Sequence, residues 1–162
     1  MNNKRIVYKP IGIIRSPFKS VEDIPIQPAG ANGIIGEVKV NKIYAAGLEN
    51  LGDFSHIILI YHFHLSKGHK LKVVPFMDIE EHGIFATRAP VRPNHIGISV
   101  VKVRSVEANV IWVENIDVAD RTPLLDIKPY ISRFDNVSGE KNGWYSNSKD
   151  DVRLMRADSR FK

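Results

Sequence analysis

The sequence contains no cysteine. Disulfides and thiolate metal sites are therefore excluded, and the composition suits a reducing cytoplasm, the expected location. No apolar run approaches the roughly 20 residues that span a bilayer. The opening MNNKRIVYKP lacks the apolar core of a signal peptide, so no membrane partner is expected. There is no internal repeat and no low-complexity tract. A dinucleotide fingerprint is also missing. The nearest candidate, Gly30-x-x-Gly33-x-x-Gly36, lacks the GxGxxG spacing and joins no strand to a helix. What remains is a chain of 162 residues, 43% hydrophobic and 25% charged, which suits one globular domain with a real core. Its net charge of +5 is consistent with a nucleic-acid partner.

Short β-branched runs dominate the chain. Residues 6–15 read as a strand bent at Pro10, and 34–40 as an alternating strand. Between them, 17–33 holds three prolines and two glycines and reads as a long irregular loop, of the kind that often carries function. The run 44–51, stopped by Gly52, is the best short-helix candidate. HIILIYHFH (56–64) is too apolar and β-branched for a surface helix and reads as a central strand. Further strands are predicted at 71–76, 84–87, 98–106, 110–116 and 124–131, with a tight turn at 107–109. This pattern predicts a mainly β fold, an antiparallel barrel with one or two short helices. The division expected is a barrel domain over 1–134 and a polar, then basic, C-terminal tail over 135–162.

Phe85 to Ser99 reads FATRAPVRPNHIGIS. It is longer than a hairpin turn needs, and Pro90 and Pro93 stiffen it. A stiff backbone carrying Arg88 and Arg92 is suited to a carboxylate or another anion, because guanidinium offers forked donors. A solvated Pro-rich loop is the plain alternative. The segment closely resembles the FATRxPxRPNPIGxS signature of the TsaA-like family, whose characterised activity is methylation of threonylcarbamoyladenosine in tRNA. Two more blocks resemble the same family in the same order: IGIIRSPFK (11–19) and DVADRTPLLDIKPY (117–130). The resemblance covers about residues 5–135. It departs where His95 stands for proline, Arg121 for glycine, and Ala29 for the glycine of a QPG-like stretch.

The resemblance implies a β-barrel that binds S-adenosylmethionine (SAM), methylates N6 of threonylcarbamoyladenosine at position 37 of tRNA, and is typically a homodimer. Carried onto this sequence, it implies a cofactor set of Gln27, Pro28, Ala29, His64, Leu65, Arg88, Arg92, Asn94, Ile98, Asp117, Asp120, Arg121, Thr122 and Pro123. The ligand's chemistry supports such a set. Its carboxylate calls for arginine, Arg88 first and Arg92 second, while its hydroxyls and amine call for acceptors such as Asp117 and Asp120. The plain alternative is that these aspartates cap turns around Thr122-Pro123. Arginine at 121 implies a different turn, a left-handed strain of about 1–2 kcal/mol, or a charge aimed at substrate phosphate. Methyl transfer depends mostly on positioning. The ureido-type N6–H is acidic enough for a base to assist, and Asp126 or Asp120 is the candidate, with Lys128 and Tyr130 polarising the acceptor. Alternatively, Asp126 and Lys128 form a structural pair.

Two rival functions are carried. His62 and His64 share one strand side, and Glu80, Glu81, His82 and His95 follow, which suggests a cupin-like metal-binding barrel. No metal is expected on the main reading. The other rival is a non-enzymatic module that binds SAM or RNA. In that module Arg153, Arg156 and Arg160 share a helical face at i, i+3 and i+7 and meet phosphates.

Overall fold

The structure is a computed structural model that describes residues 5–22, 24–148 and 151–161. Six strands close into an antiparallel barrel: β1 (Gly12–Arg15), β2 (Ile35–Val40), β3 (His56–His62), β6 (Ile96–Glu107), β7 (Val110–Glu114) and β8 (Thr122–Pro129). Their order around the barrel is β1-β2-β7-β6-β3-β8, and β8 pairs with β1 to complete the circle. A separate two-stranded hairpin, β4 (Lys72–Val73) and β5 (His82–Gly83), stands beside it. One α-helical turn, α1 (Ser132–Asp135), follows the last strand.

Alternation builds the core. Along β3, Ile57, Leu59 and Tyr61 are buried while their neighbours are half-buried or exposed, the period-2 signature of a sheet with one inward face. Ile14, Val38, Val40, Val101, Ile111, Val113 and Leu124 meet them inside the barrel. A smaller apolar cluster, Val73, Ile84, Ala89 and Val91, joins the β4–β5 hairpin to the proline-rich loop before β6.

Several local expectations are corrected. The predicted helix at 44–51 is a pair of 3-10 turns, Lys42–Leu48 and Leu51–Asp53. Gly47 and the left-handed Asn50 (φ 61°) interrupt a stretch already too short to nucleate an α-helix. Residues 84–86 are likewise a 3-10 turn rather than a strand. Thr87 Oγ1 donates to the Ile84 carbonyl (3.0 Å), closing that turn. Arg153, Arg156 and Arg160 share no helix, since only 159–161 form a helical turn there. The barrel closes, so its six strands leave no free edge. Among the described residues, no helix is long and apolar enough to cross a membrane.

Candidate functional site

One end of β3 and the start of β6 open into a cavity of about 870 Å³. This is within the range of small-molecule sites. Its wall combines the long loop after β1, the residues after β3, the proline-rich loop before β6, and the turn between β7 and β8.

Gly97 is one reason the cavity has its shape. It pairs with Tyr61 across β3 and β6, and a Cβ there would meet the Tyr61 ring and come within 2.7 Å of Phe63 Cζ. The space left by glycine admits the Tyr61 ring, which packs edge-on against Phe63 (5.4 Å). Tyr61 thereby brings its hydroxyl to within 3.0 Å of Ser99 Oγ. Ser99 Oγ donates to Asp117 Oδ1 at 2.6 Å. Its single proton is spent there, so Tyr61 donates to Ser99 when Asp117 is ionised. Burial pushes the Asp117 carboxyl up to about 7, against the hydrogen bond from Ser99 and the field of Arg88. Burial also raises the Tyr61 phenol, which stays neutral.

The rigidity of the proline-rich loop comes from Arg92 as much as from its prolines. Arg92 Nη1 donates to the carbonyls of Thr87 (2.8 Å), Ile84 (3.3 Å) and Ala89 (3.3 Å). Arg88, by contrast, is exposed, and its Nη1 donates to Gln27 Oε1 at 2.7 Å, tying the two loops together across the cavity. On another wall, Thr122 Oγ1 donates to the Ala119 carbonyl (2.8 Å) and lies 3.2 Å from His64 Nδ1. With that hydroxyl proton committed, His64 Nδ1 must be the donor of the pair. Nε2 then carries the lone pair. Burial, with His62 nearby, holds the imidazole below its ordinary pKa, so it is neutral. Ser66 Oγ, also on the wall, is withdrawn from solvent with no partner among the described residues.

Of the expected cofactor residues, Gln27, Ala29, His64, Leu65, Arg88, Arg92, Ile98, Asp117 and Thr122 line the cavity. Pro28, Asn94, Asp120, Arg121 and Pro123 do not. Asp120 instead fastens the loop after β1: it accepts from Ser16 N (3.1 Å) and Lys19 Nζ (2.7 Å). Burial raises its pKa, but these two donors outweigh burial and hold it below the usual value. Arg121 takes the left-handed conformation (φ 65°) that its place in a glycine position required. Asp126, Lys128 and Tyr130 lie away from the cavity. Asp126 and Lys128 form the i,i+2 pair at 2.8 Å, and Tyr130 sits beside His56, at the far end of β3. That end is about 20 Å from His62 at the rise of a strand.

The histidines do not converge. His62 lies against His95 (ring centroids 5.9 Å), His64 faces Thr122, and His82 bonds Asp78 (2.8 Å). Among the described residues, no group of three or more His, Cys, Asp or Glu side chains is arranged to hold a metal ion. Residues that sequence reasoning missed include Tyr61, Ser66, Trp144, Tyr145 and Phe161 on the wall, and Ser99 behind it, which links Tyr61 to Asp117. Ser99 stood in the signature block itself. Trp144, one of two tryptophans, stood in an otherwise polar stretch, which was the available signal.

The chain is similar to known proteins over most of its length. The family profile of the tRNA-methyltransferase O N-terminal domain matches residues 13–136. A Pyrococcus abyssi protein named "Probable S-adenosyl-L-methionine-binding protein" is 49% identical over 156 residues, covering 96% of this chain and 85% of that protein. The mouse tRNA (adenine(37)-N6)-methyltransferase is 34% identical over 139 residues, covering 81% of this chain and 32% of the mouse protein. The crystal structure of TrmO from Pseudomonas aeruginosa superposes with a TM-score of 0.74 at 37% identity, covering 87% of this chain. This chain spans 63% of the Pseudomonas chain. Matching over most of its length in sequence and in three dimensions, the chain belongs to the tRNA-methyltransferase O family, whose N-terminal domain its barrel represents.

Proposed function

We propose that the protein transfers a methyl group from SAM to N6 of threonylcarbamoyladenosine at position 37 of tRNA. The observation that carries this reading is the convergence, in one cavity, of the Arg88–Gln27 pair and the Tyr61–Ser99–Asp117 chain. The residues present fit the donor. Arg88 offers forked donors to a carboxylate, Asp117 offers an acceptor to an amine or hydroxyl, and Ser66 Oγ has an unused hydrogen-bonding capacity. When bound, SAM supplies an electrophilic methyl on a sulfonium centre. The names of the P. abyssi and mouse relatives support the donor and the acceptor respectively.

The chain's own work is orientation and proton removal. The Arg92-braced loop and the Gln27 loop would hold the donor, with Arg88 placed for its carboxylate, and fixing its position is the larger part of the chemistry. The acceptor nitrogen must lose a proton, and His64 Nε2 is the unprotonated basic nitrogen on the cavity wall at neutral pH. Asp120 and Asp126, the carboxylates suggested by sequence, are held by Lys19 and Lys128. Phe85, Ile96 and Ile98 stand exposed around the mouth, which supports a homodimer that covers them. Sedimentation showing only monomer at micromolar concentration would discard the dimer.

The deciding experiment incubates labelled SAM with unmodified and threonylcarbamoylated tRNA, then digests the RNA to nucleosides. Label is expected only on the threonylcarbamoylated adenosine. Label on neither RNA would remove the tRNA reading. In the same assay, His64→Gln should slow single turnover about 100-fold, and Asp126→Ala should leave it within threefold of wild type.

A further inference from the structure

The barrel domain matched by the family profile ends at residue 136, but the cavity does not end with it. The chain beyond runs back across the site and is attached on both sides. On one side, the Trp144 indole stacks on His82 with ring centroids 4.9 Å apart and planes 16° apart, and His82 is itself held by Asp78. Trp144 Nε1–H donates to the Ala86 carbonyl at 2.8 Å, two residues before Arg88. On the other side, Ala157 N donates to the Ile24 carbonyl at 2.7 Å, and Arg156 bridges to Pro25. Gly30 packs so closely against this segment that a Cβ would come within 3.2 Å of the Val152 carbonyl. Past these points Phe161 packs edge-on against Phe76 (5.1 Å).

The segment also carries its charges in a form suited to lying on an apolar wall. Arg153 is paired with Asp151 (2.7 Å) and Arg160 with Asp158 (2.8 Å), while Arg156 donates to carbonyls within the segment. Arg160 also donates to the Pro75 carbonyl at 3.1 Å and lies over the Phe76 ring, so these arginines are engaged by protein groups. The two loops it touches, 24–30 and 75–88, are the ones Arg88 and Gln27 join from inside.

We propose that residues 142–148 and 151–161 are part of the donor-binding site: a strap that completes its wall, with Trp144 as the positioning residue for the loop that bears Arg88. This rests on the SAM reading above, since the strap acts on whatever Arg88 and Gln27 hold. Trp144 touches no reacting atom. It fixes the carbonyl of Ala86, and through it the angle at which Arg88 enters the cavity. Closing the loops from outside slows donor escape, so the strap acts on donor affinity and not on the methyl-transfer step.

The test uses the full chain and S-adenosylhomocysteine, the demethylated donor, in titration calorimetry. Trp144→Ala should raise Kd at least tenfold and raise the donor KM in parallel. Its kcat at saturating donor should stay within twofold, and its KM for tRNA should not move. Trp144→Phe keeps the stack without the N–H donor and should fall between. Ala157→Pro removes the second anchor's donor and should weaken binding by a similar factor. Thermal melts identify any variant that fails to fold, and Trp144→Phe then decides. Kd within twofold of wild type in Trp144→Phe and Ala157→Pro alike, with wild type binding, would overturn the strap and leave the SAM reading intact. No binding by wild type would overturn the SAM reading, and the strap with it.

Discussion

Arg121 holds φ 65°, a left-handed conformation that favours glycine. A non-glycine residue there carries about 1 kcal/mol of strain. Arg121→Gly removes that strain but loosens the unfolded chain, so a net gain of roughly 0.5 kcal/mol and a Tm rise of about 1–2 °C are expected. A lower Tm would refute the strain account. If the arginine also meets tRNA phosphate, the same variant should reduce the salt slope of tRNA binding by about one. Asp117 gives a prediction in pH. Its folded pKa of about 7 lies above its unfolded value, so the native state holds the extra proton between about pH 4 and 7. Stability should therefore fall as pH rises through that window, by up to about 4 kcal/mol, and Asp117→Asn should flatten the profile. Urea melts at pH 5 and 7.5 decide it, and equal dependence in both proteins would show that another group titrates. The strain at Arg121 was one of the alternatives its sequence position offered, and the fold selects it; the titration of Asp117 was not legible in the sequence. Sequence identified Asp117 as an acceptor, but only Tyr61 and Ser99, arriving from two other strands, set its burial and its proton.

The proline-rich loop and the strand after it act as one unit. The prolines restrict the chain, Arg92 ties three of its carbonyls, and Gly97 lets β6 pass under Tyr61. Gly97→Ala forces a methyl into the Tyr61 and Phe63 rings. The expected cost is about 2–3 kcal/mol, a Tm drop of roughly 5–10 °C. An unchanged Tm would mean that the rings have room to withdraw. The loop's importance was legible in its rigidity and charge. The division of labour between its arginines was not. Two guanidiniums four residues apart look equivalent on paper, yet backbone curvature turns Arg92 onto its own loop and leaves Arg88 facing Gln27. The short elements were the least legible. At 44–51 and 84–87, propensity favoured a helix and a strand, while chain reversal at the barrel rim imposed 3-10 turns.

The chain's net charge of +5 gives a polyanion a long-range attraction that salt screens. Binding of threonylcarbamoylated tRNA should weaken by about tenfold or more between 50 and 200 mM salt. Donor affinity, set inside the cavity, should change far less. A salt-independent tRNA affinity would point to recognition without phosphate contacts. The mainly β architecture, the antiparallel pairing and the family were already written in the chain, because alternation and ordered motif blocks are local properties that survive without coordinates. Which motif residues share one cavity was not, because it depends on register and closure. Asp126 and Lys128 belong to the same motif block as Asp117, but they pair with each other and lie outside the cavity lining. Trp144 has no motif at all, and reaches the wall only because the chain turns back over the barrel after its last strand. Convergence of this kind comes from hydrogen bonds and packing between residues tens of positions apart, and no window along the sequence contains both partners.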